Sequence, residues 1–115
     1  MNAESDSPIG NVRWVGRAAV AEVVGDIDAA RVPVFQQAIL SVLGEKPDRI
    51  IVDLSGVAYM DSSGLASLVK LLSRARKHDT KLYLVGMSEM IRGLFEITRL
   101  DAVFEIRDTE QEALG

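Results

Sequence analysis

Apolar and polar positions along this chain switch between two periods, and the switches mark out its elements. After a polar stretch at residues 1–11, which carries too little apolar surface to offset the entropy of ordering it, VRWVGRAAVAEVVG begins at Val12. Its Val and Ala content, broken at Gly16-Arg17, suits two short strands or one bent hairpin, with Trp14 packing at the sheet edge. The small run Ala18, Ala19 and Ala21 leaves room for close packing. Beyond GDID, apolar residues at Val32, Phe35, Ala38, Ile39, Val42 and Leu43 repeat every three or four positions, as on one face of a helix that ends at Gly44. Asp28 is its expected cap, but Pro33 then lies too deep for the first turn, so the regular helix is expected to start a few residues later.

RIIVDL, residues 49–54, is a short unbroken run of branched apolar residues, the signature of a central strand buried on both faces. Leu65, Leu68, Val69, Leu72 and Ala75 form the stripe of a second helix, with Lys70, Arg74, Arg76 and Lys77 on its outer side and last turns. KLYLVG predicts another strand, SEMIRGLFEITRL a third helix capped by Ser88, and AVFEI a last strand before the acidic tail DTEQEALG at 108–115. Alternating strands and helices predict a single α/β domain over residues 12–107: a mixed, mostly parallel sheet with an antiparallel N-terminal hairpin, backed by amphipathic helices.

Composition narrows the chemistry. At 115 residues with 48% hydrophobic and 26% charged residues, the chain suits one globular core. No apolar run reaches the ~18 residues of a membrane span, and MNAESDSPIGN lacks signal-peptide order, so a cytoplasmic protein is expected. The absence of cysteine excludes disulfides and thiolate chemistry, and a single histidine excludes the usual zinc sites; no cofactor is expected. A net charge of -4 argues against nucleic acid and anionic membranes as partners, apart from the local basic stripe on the second helix. That stripe reads first as a solvated face suited to the helix dipole, and second as a surface for an acidic partner.

In a parallel strand-helix fold the loops leaving the C-terminal strand ends gather on one rim, which here collects Asp26, Asp28, Asp53, Asp61, Ser62, Ser63 and Ser88. Asp and Ser at such places are ordinary helix caps, and that reading comes first. A serine hydrolase needs a base near its nucleophile. His78 lies sixteen residues beyond Ser62 on the predicted helix, about 24 Å away, so it reads instead as a surface residue near the helix C-terminus. A receiver-type phospho-aspartate at Asp53 would need a lysine after the last strand, and AVFEIRDTEQ has none; Asp53 more readily bonds its own loop. Magnesium on Asp26, Asp53 and Asp61 is chemically possible, but nothing in the sequence fixes their geometry. With no base, metal cluster or phosphate-binding glycine loop, the chain does not read as an enzyme. There remains a serine that is acted upon, because a phosphoserine at a helix mouth meets free N–H groups and the positive end of the helix dipole.

GDID, IIVDLSGVAYMDSSGLASLVKLL and KLYLVGMSEMIRGLFEITRLDAVFEI together resemble the STAS domains of bacterial anti-sigma factor antagonists, from about Val12 to Ile106. The resemblance implies a single STAS-type domain that binds an anti-sigma factor and so releases a sigma factor. It further implies that the anti-sigma factor is itself a serine kinase that phosphorylates the antagonist, and that a phosphatase resets it. By position the phosphoacceptor is Ser62, flanked by Asp61, with Ser63 as a helix-start hydroxyl and Gly64 leaving space for a partner backbone. Asp26 and Asp28 match the acidic loop bordering the binding surface. Met87 and Met90 are expected on the same rim as adaptable contacts, whereas Met60 reads first as core. A monomer or weak dimer is expected, and the competing role is that of a structural STAS subunit in a larger stress-sensing or lipid-transport assembly.

Overall fold

A computed structural model describes residues 9–115. The elements run β1 (Ile9–Val15), β2 (Ala18–Val24), α1 (Val32–Leu43), β3 (Arg49–Gly56), α2 (Ser62–Lys77), β4 (Lys81–Val85), α3 (Glu89–Ile97), a 3-10 turn (Leu100–Ala102), β5 (Glu105–Arg107) and α4 (Glu110–Leu114). They build one five-stranded sheet in the order β1-β2-β3-β4-β5. The β1–β2 pair is antiparallel and the other pairs are parallel, as the strand-helix alternation predicts. Gly16 supplies the positive φ of 59° at the tight hairpin turn. Sequential order has a direct consequence. Each right-handed crossover steps the same way across the sheet, so α1, α2 and α3 all fall on one face.

That face holds the larger core. Ala19, Ala21 and Val23 of β2, Ile50, Val52 and Leu54 of β3, and Leu82 and Leu84 of β4 lie beneath Phe35, Ile39, Leu43, Leu68, Leu71, Ile91 and Phe95. Phe95 meets Phe104 edge to face, with centroids 5.5 Å apart. The alternate residues Val20, Ile51, Tyr83 and Val85 form a smaller cluster on the opposite face with Ala113 and Leu114 of α4. The RIIVDL strand is therefore central and buried on both sides, in line with its unbroken apolar run.

Helix ends follow local chemistry. α1 starts at Val32 with Pro33 in its first turn, while Asp28 accepts from the Arg31 amide at 3.1 Å and shapes the entry turn instead of capping the helix. α3 stops at Ile97, where the Thr98 hydroxyl donates back to the Leu94 carbonyl at 2.7 Å and Arg99 turns the chain at φ 63°. The chain then enters the 3-10 turn, and the expected strand AVFEI is shortened to a β5 that begins at Glu105.

Both expected tails are corrected where the structure describes them. Residues 1–8 of the N-terminal tail lie outside the described residues, and Ile9, Gly10 and Asn11 already belong to β1. At the other end, DTEQEALG contains a capped helix. The Thr109 hydroxyl accepts from the Glu112 amide and the Glu112 carboxylate accepts from the Thr109 amide, each at 3.2 Å. Around α4, Arg13 pairs with Glu110, which raises the Arg13 pKa further, and Arg49 donates to the Ala113 carbonyl at 2.7 Å. The Arg49 and Arg107 guanidinium groups lie 5.8 and 5.5 Å from the centroid of the Tyr83 ring. A chain ending at Arg107 should therefore lose about 2 kcal/mol in urea unfolding, through re-exposure of the second cluster. An unchanged midpoint would mean that 108–115 is a solvated tail after all.

Candidate functional site

The rim at the C-terminal strand ends is built by joining two loops. Past the end of the β2–β3 pairing the strands separate, yet the loops that follow stay zipped. The Gly25 amide donates to the Gly56 carbonyl at 3.1 Å, the Ile27 amide to the Tyr59 carbonyl at 3.0 Å, and the Asp61 amide to the Ile27 carbonyl at 3.3 Å. Ile27 and Met60 form an isolated parallel bridge, and both side chains are buried beneath it. Met60 is accordingly core, as its position suggested.

Asp61 completes the junction. It is the N-cap of α2: one carboxylate oxygen accepts from the Gly64 amide at 3.0 Å, as a cap should, and the other accepts from the Ala29 amide in the neighbouring loop at 3.2 Å. One side chain thus both starts the helix and holds the β2–α1 loop against it. Gly64 is the residue that lets the two approach. A Cβ at this position would stand 2.5 Å from the Ile27 carbonyl oxygen and 2.5 Å from Met60 Cγ. Gly64 is buried, so the space expected for a partner backbone is already filled by the protein's own.

Capping by Asp61 leaves Ser62 free. Ser62 is exposed at the first position of α2, and its hydroxyl makes no hydrogen bond among the described residues. Ser63 is half-buried and equally without a side-chain partner there. The buried serine of this helix is Ser67, whose hydroxyl donates to the Gly64 carbonyl at 2.7 Å. Of the acidic loop, Asp26 is exposed and Asp28 is half-buried in its turn.

The remaining expected residues separate by location. Asp53 accepts from the Ser55 amide at 2.9 Å and the Ser55 hydroxyl at 2.7 Å, so it bonds its own loop. Ser88 caps α3 by accepting from the Ile91 amide at 3.2 Å. Met87 packs against the core, while Met90 on the first turn of α3 is 66% exposed. His78 is exposed at the far end of α2. Two rim residues escape sequence reasoning. Tyr59 is 50% exposed immediately before the buried Met60, and Arg31 keeps a buried Nε with no partner among the described residues. The signal for Tyr59 was present, since a large apolar residue in a turn between Ala58 and Met60 has no strand or helix face to fill. Among the described residues, no three carboxylate or histidine side chains group closely enough to hold a metal ion, and no helix is long and apolar enough to cross a membrane.

Residues 11–113 match the STAS domain family. The sequence is 38% identical to the anti-sigma-B factor antagonist of Listeria monocytogenes over 94 residues, covering 81% of this chain and 82% of that protein. Among solved structures, an anti-sigma factor antagonist from Mycobacterium paratuberculosis superposes with a TM-score of 0.85 at 29% identity, covering 95% of this chain and 92% of its own. The Bacillus cell fate determinant SpoIIAA, in its phosphorylated form, shares the fold with a TM-score of 0.68 at 22% identity, over 90% of this chain and 95% of its own.

The junction makes a prediction that separates its two halves. Asp61→Asn keeps one acceptor oxygen but replaces the other with a donor, so the Ala29 amide should lose its partner while α2 keeps its cap. Hydrogen exchange should then speed up at Ala29 more than at Gly64, with an overall loss of about 1 kcal/mol. Gly64→Ala should be worse, at about 1–3 kcal/mol, because the added methyl meets backbone that has no room to move.

Proposed function

Because the chain belongs to the STAS domain family, we propose that it is an anti-sigma factor antagonist switched by phosphorylation of Ser62. In the unmodified state the rim of Asp26, Asp28, Ser62, Ser63, Tyr59 and Met90 docks on an anti-sigma factor, which then releases its sigma factor. The anti-sigma factor is also the kinase: it transfers the γ-phosphoryl group of ATP to the Ser62 oxygen, with ADP leaving and the hydroxyl proton passing to a base of the kinase. A phosphatase hydrolyses the ester and restores the rim. Under this reading the chain is a substrate and a regulator, and catalysis belongs to its partners.

The observation that carries this reading is the division of labour at the start of α2. Asp61 takes the capping role, so the adjacent Ser62 hydroxyl is exposed and committed to no partner in the protein. The identity to proteins named anti-sigma-B factor antagonists supports the partner class. The physics of the switch follows from charge. Phosphorylation adds about -1.5 to -2 at the mouth of a helix, where backbone N–H groups and the helix dipole accommodate it without refolding. Beside Asp61 and the Asp26–Asp28 loop, the same charge presents a strongly negative surface to a partner that had docked on a neutral serine. Asp61 already occupies the Gly64 amide, so the phosphate is left with the amides of Ser62 and Ser63 and with solvent.

With the cognate kinase and ATP, the protein should gain one acid-stable phosphate. Ser62→Ala should abolish it and Ser63→Ala should keep it, as read by intact mass. Phosphorylation should weaken binding to the anti-sigma factor by at least about tenfold, or 1.4 kcal/mol. Modification at Ser63 alone, or equal binding of both forms, would sink the proposal.

A further inference from the structure

The end of α2 farthest from Ser62 carries a second surface whose charge is opposite to that of the whole chain. Two adjoining concavities of about 400 Å³ each share Leu72, Arg76 and Val103 and lie between the last turns of α2, the entry to β4 and the edge strand β5. Their floor is apolar, with Leu72 at its base and the half-exposed Val69 and Val103 at its sides. Arg76, Lys77, Lys81 and Arg107 line it, against one carboxylate, Glu105, which already pairs with Arg107 at 3.0 Å. Among the described residues Arg76, Lys77 and Lys81 form no ion pair. A helix dipole accounts for basic residues in the last turn of α2, but not for Lys81 and Arg107, which sit on strands.

The backbone shapes one wall of the groove. β5 pairs with β4 only from Tyr83 to Val85. Lys81 and Leu82 have Arg49 and Ile50 beside them in β3, but no strand on the other side, because the chain before β5 turns away into the 3-10 turn. The Lys81 amide donates to the Asp48 carbonyl at 3.1 Å on the β3 side, so the late start of β5 forms a step that bounds the basic and apolar groove and leaves Leu82 on its wall.

We propose that this groove docks an acidic segment of a protein partner, one carrying apolar side chains between its carboxylates. Each requirement comes from a feature of the groove: carboxylates for Arg76, Lys77 and Lys81, and apolar side chains for Leu72 and Val103. Nucleic acid would satisfy the cations but leave the apolar floor empty. A flat anionic bilayer would not reach into the concavity, and would meet the net negative charge of the rest of the protein. Docking here is independent of the switch. Arg76 lies fourteen residues along α2 from Ser62, about 21 Å at 1.5 Å per residue, which is more than two screening lengths at physiological salt. A partner held in this groove stays bound whether or not Ser62 carries phosphate.

The probe is a fluorescent peptide alternating glutamate with leucine, compared with its lysine counterpart and with phosphatidylserine vesicles, each added to the full chain. The acidic peptide should bind with an affinity that falls as salt rises, and should shift the amide signals of Leu72, Leu82 and Val103. Arg76→Glu combined with Lys81→Glu should weaken it about tenfold or more, whereas Ser62→Asp should change it by less than about twofold. Val103→Asp should also weaken it, and thermal unfolding of each variant confirms that the fold is kept. Equal binding of the lysine peptide, shifts confined to the Ser62 rim, undiminished binding by the folded double variant, or binding of vesicles in place of the peptide would each overturn the proposal. None of these outcomes bears on whether Ser62 is the phosphorylated residue.

Discussion

The carboxylate of Asp61 accepts from two amides that are far apart in sequence, Gly64 at 3.0 Å and Ala29 at 3.2 Å, and the geometry of the rim rests on that pair. Without the Ala29 bond, the β2–α1 loop would be held to α2 only by its backbone zipper and the buried Ile27–Met60 contact. Without the Gly64 bond, α2 would start with an uncapped first turn. Both bonds need the helix to approach the loop closely, and Gly64 allows this because it has no Cβ to meet Ile27. The same arrangement frees the neighbouring serine. A helix whose cap is an aspartate can display the next hydroxyl, and a hydroxyl displayed at a helix N-terminus is a place where charge can be added without unfolding.

The sheet order explains why the strand-to-helix loops meet at one end of the molecule. Three helices on one face place all the strand-to-helix loops after β2, β3 and β4 on a single rim above the larger core. The other face would be a bare apolar patch if α4 did not cover Val20, Ile51, Tyr83 and Val85, with Arg13 and Arg49 holding the helix in place. α2 then runs from the rim to the opposite end, so its two termini present surfaces of opposite character: acidic with an exposed serine at Ser62, basic and grooved at Arg76 and Lys77.

Much of this was legible in the residues. The two-sided burial of RIIVDL, the stripes of α1 and α2, the hairpin at Gly16, the Ser88 cap and the local bonding of Asp53 follow from short-range patterns, and the structure has each of them. Some features carry a local signal that a competing one outweighs. Thr109 and Glu112 stand at capping-box spacing, but the acidity of DTEQEALG pointed to a tail. Others could not be read locally. Whether Asp28 caps or turns depends on where Pro33 lets the helix begin, and the shortening of β5 depends on Arg99 adopting a left-handed conformation without a glycine to announce it.

The sequence by itself determined the alternation of elements, the mixed sheet, the core-forming faces and the serine-bearing helix start, because these depend on periodicity and on caps spanning three or four residues. Only the tertiary structure decided what each rim residue does. Gly64 looked like an opening for a partner and is filled by Ile27 and Met60; Asp61 looked like a flank to the serine and is the tie between two loops. The concavity that brings Arg76 of α2 beside Lys81 of β4 and Arg107 of β5 likewise exists only in the folded chain. In each case the deciding neighbour comes from another loop or strand, with Ala29 thirty-two residues from Asp61, and a contact at that separation leaves no period or spacing in the chain to read.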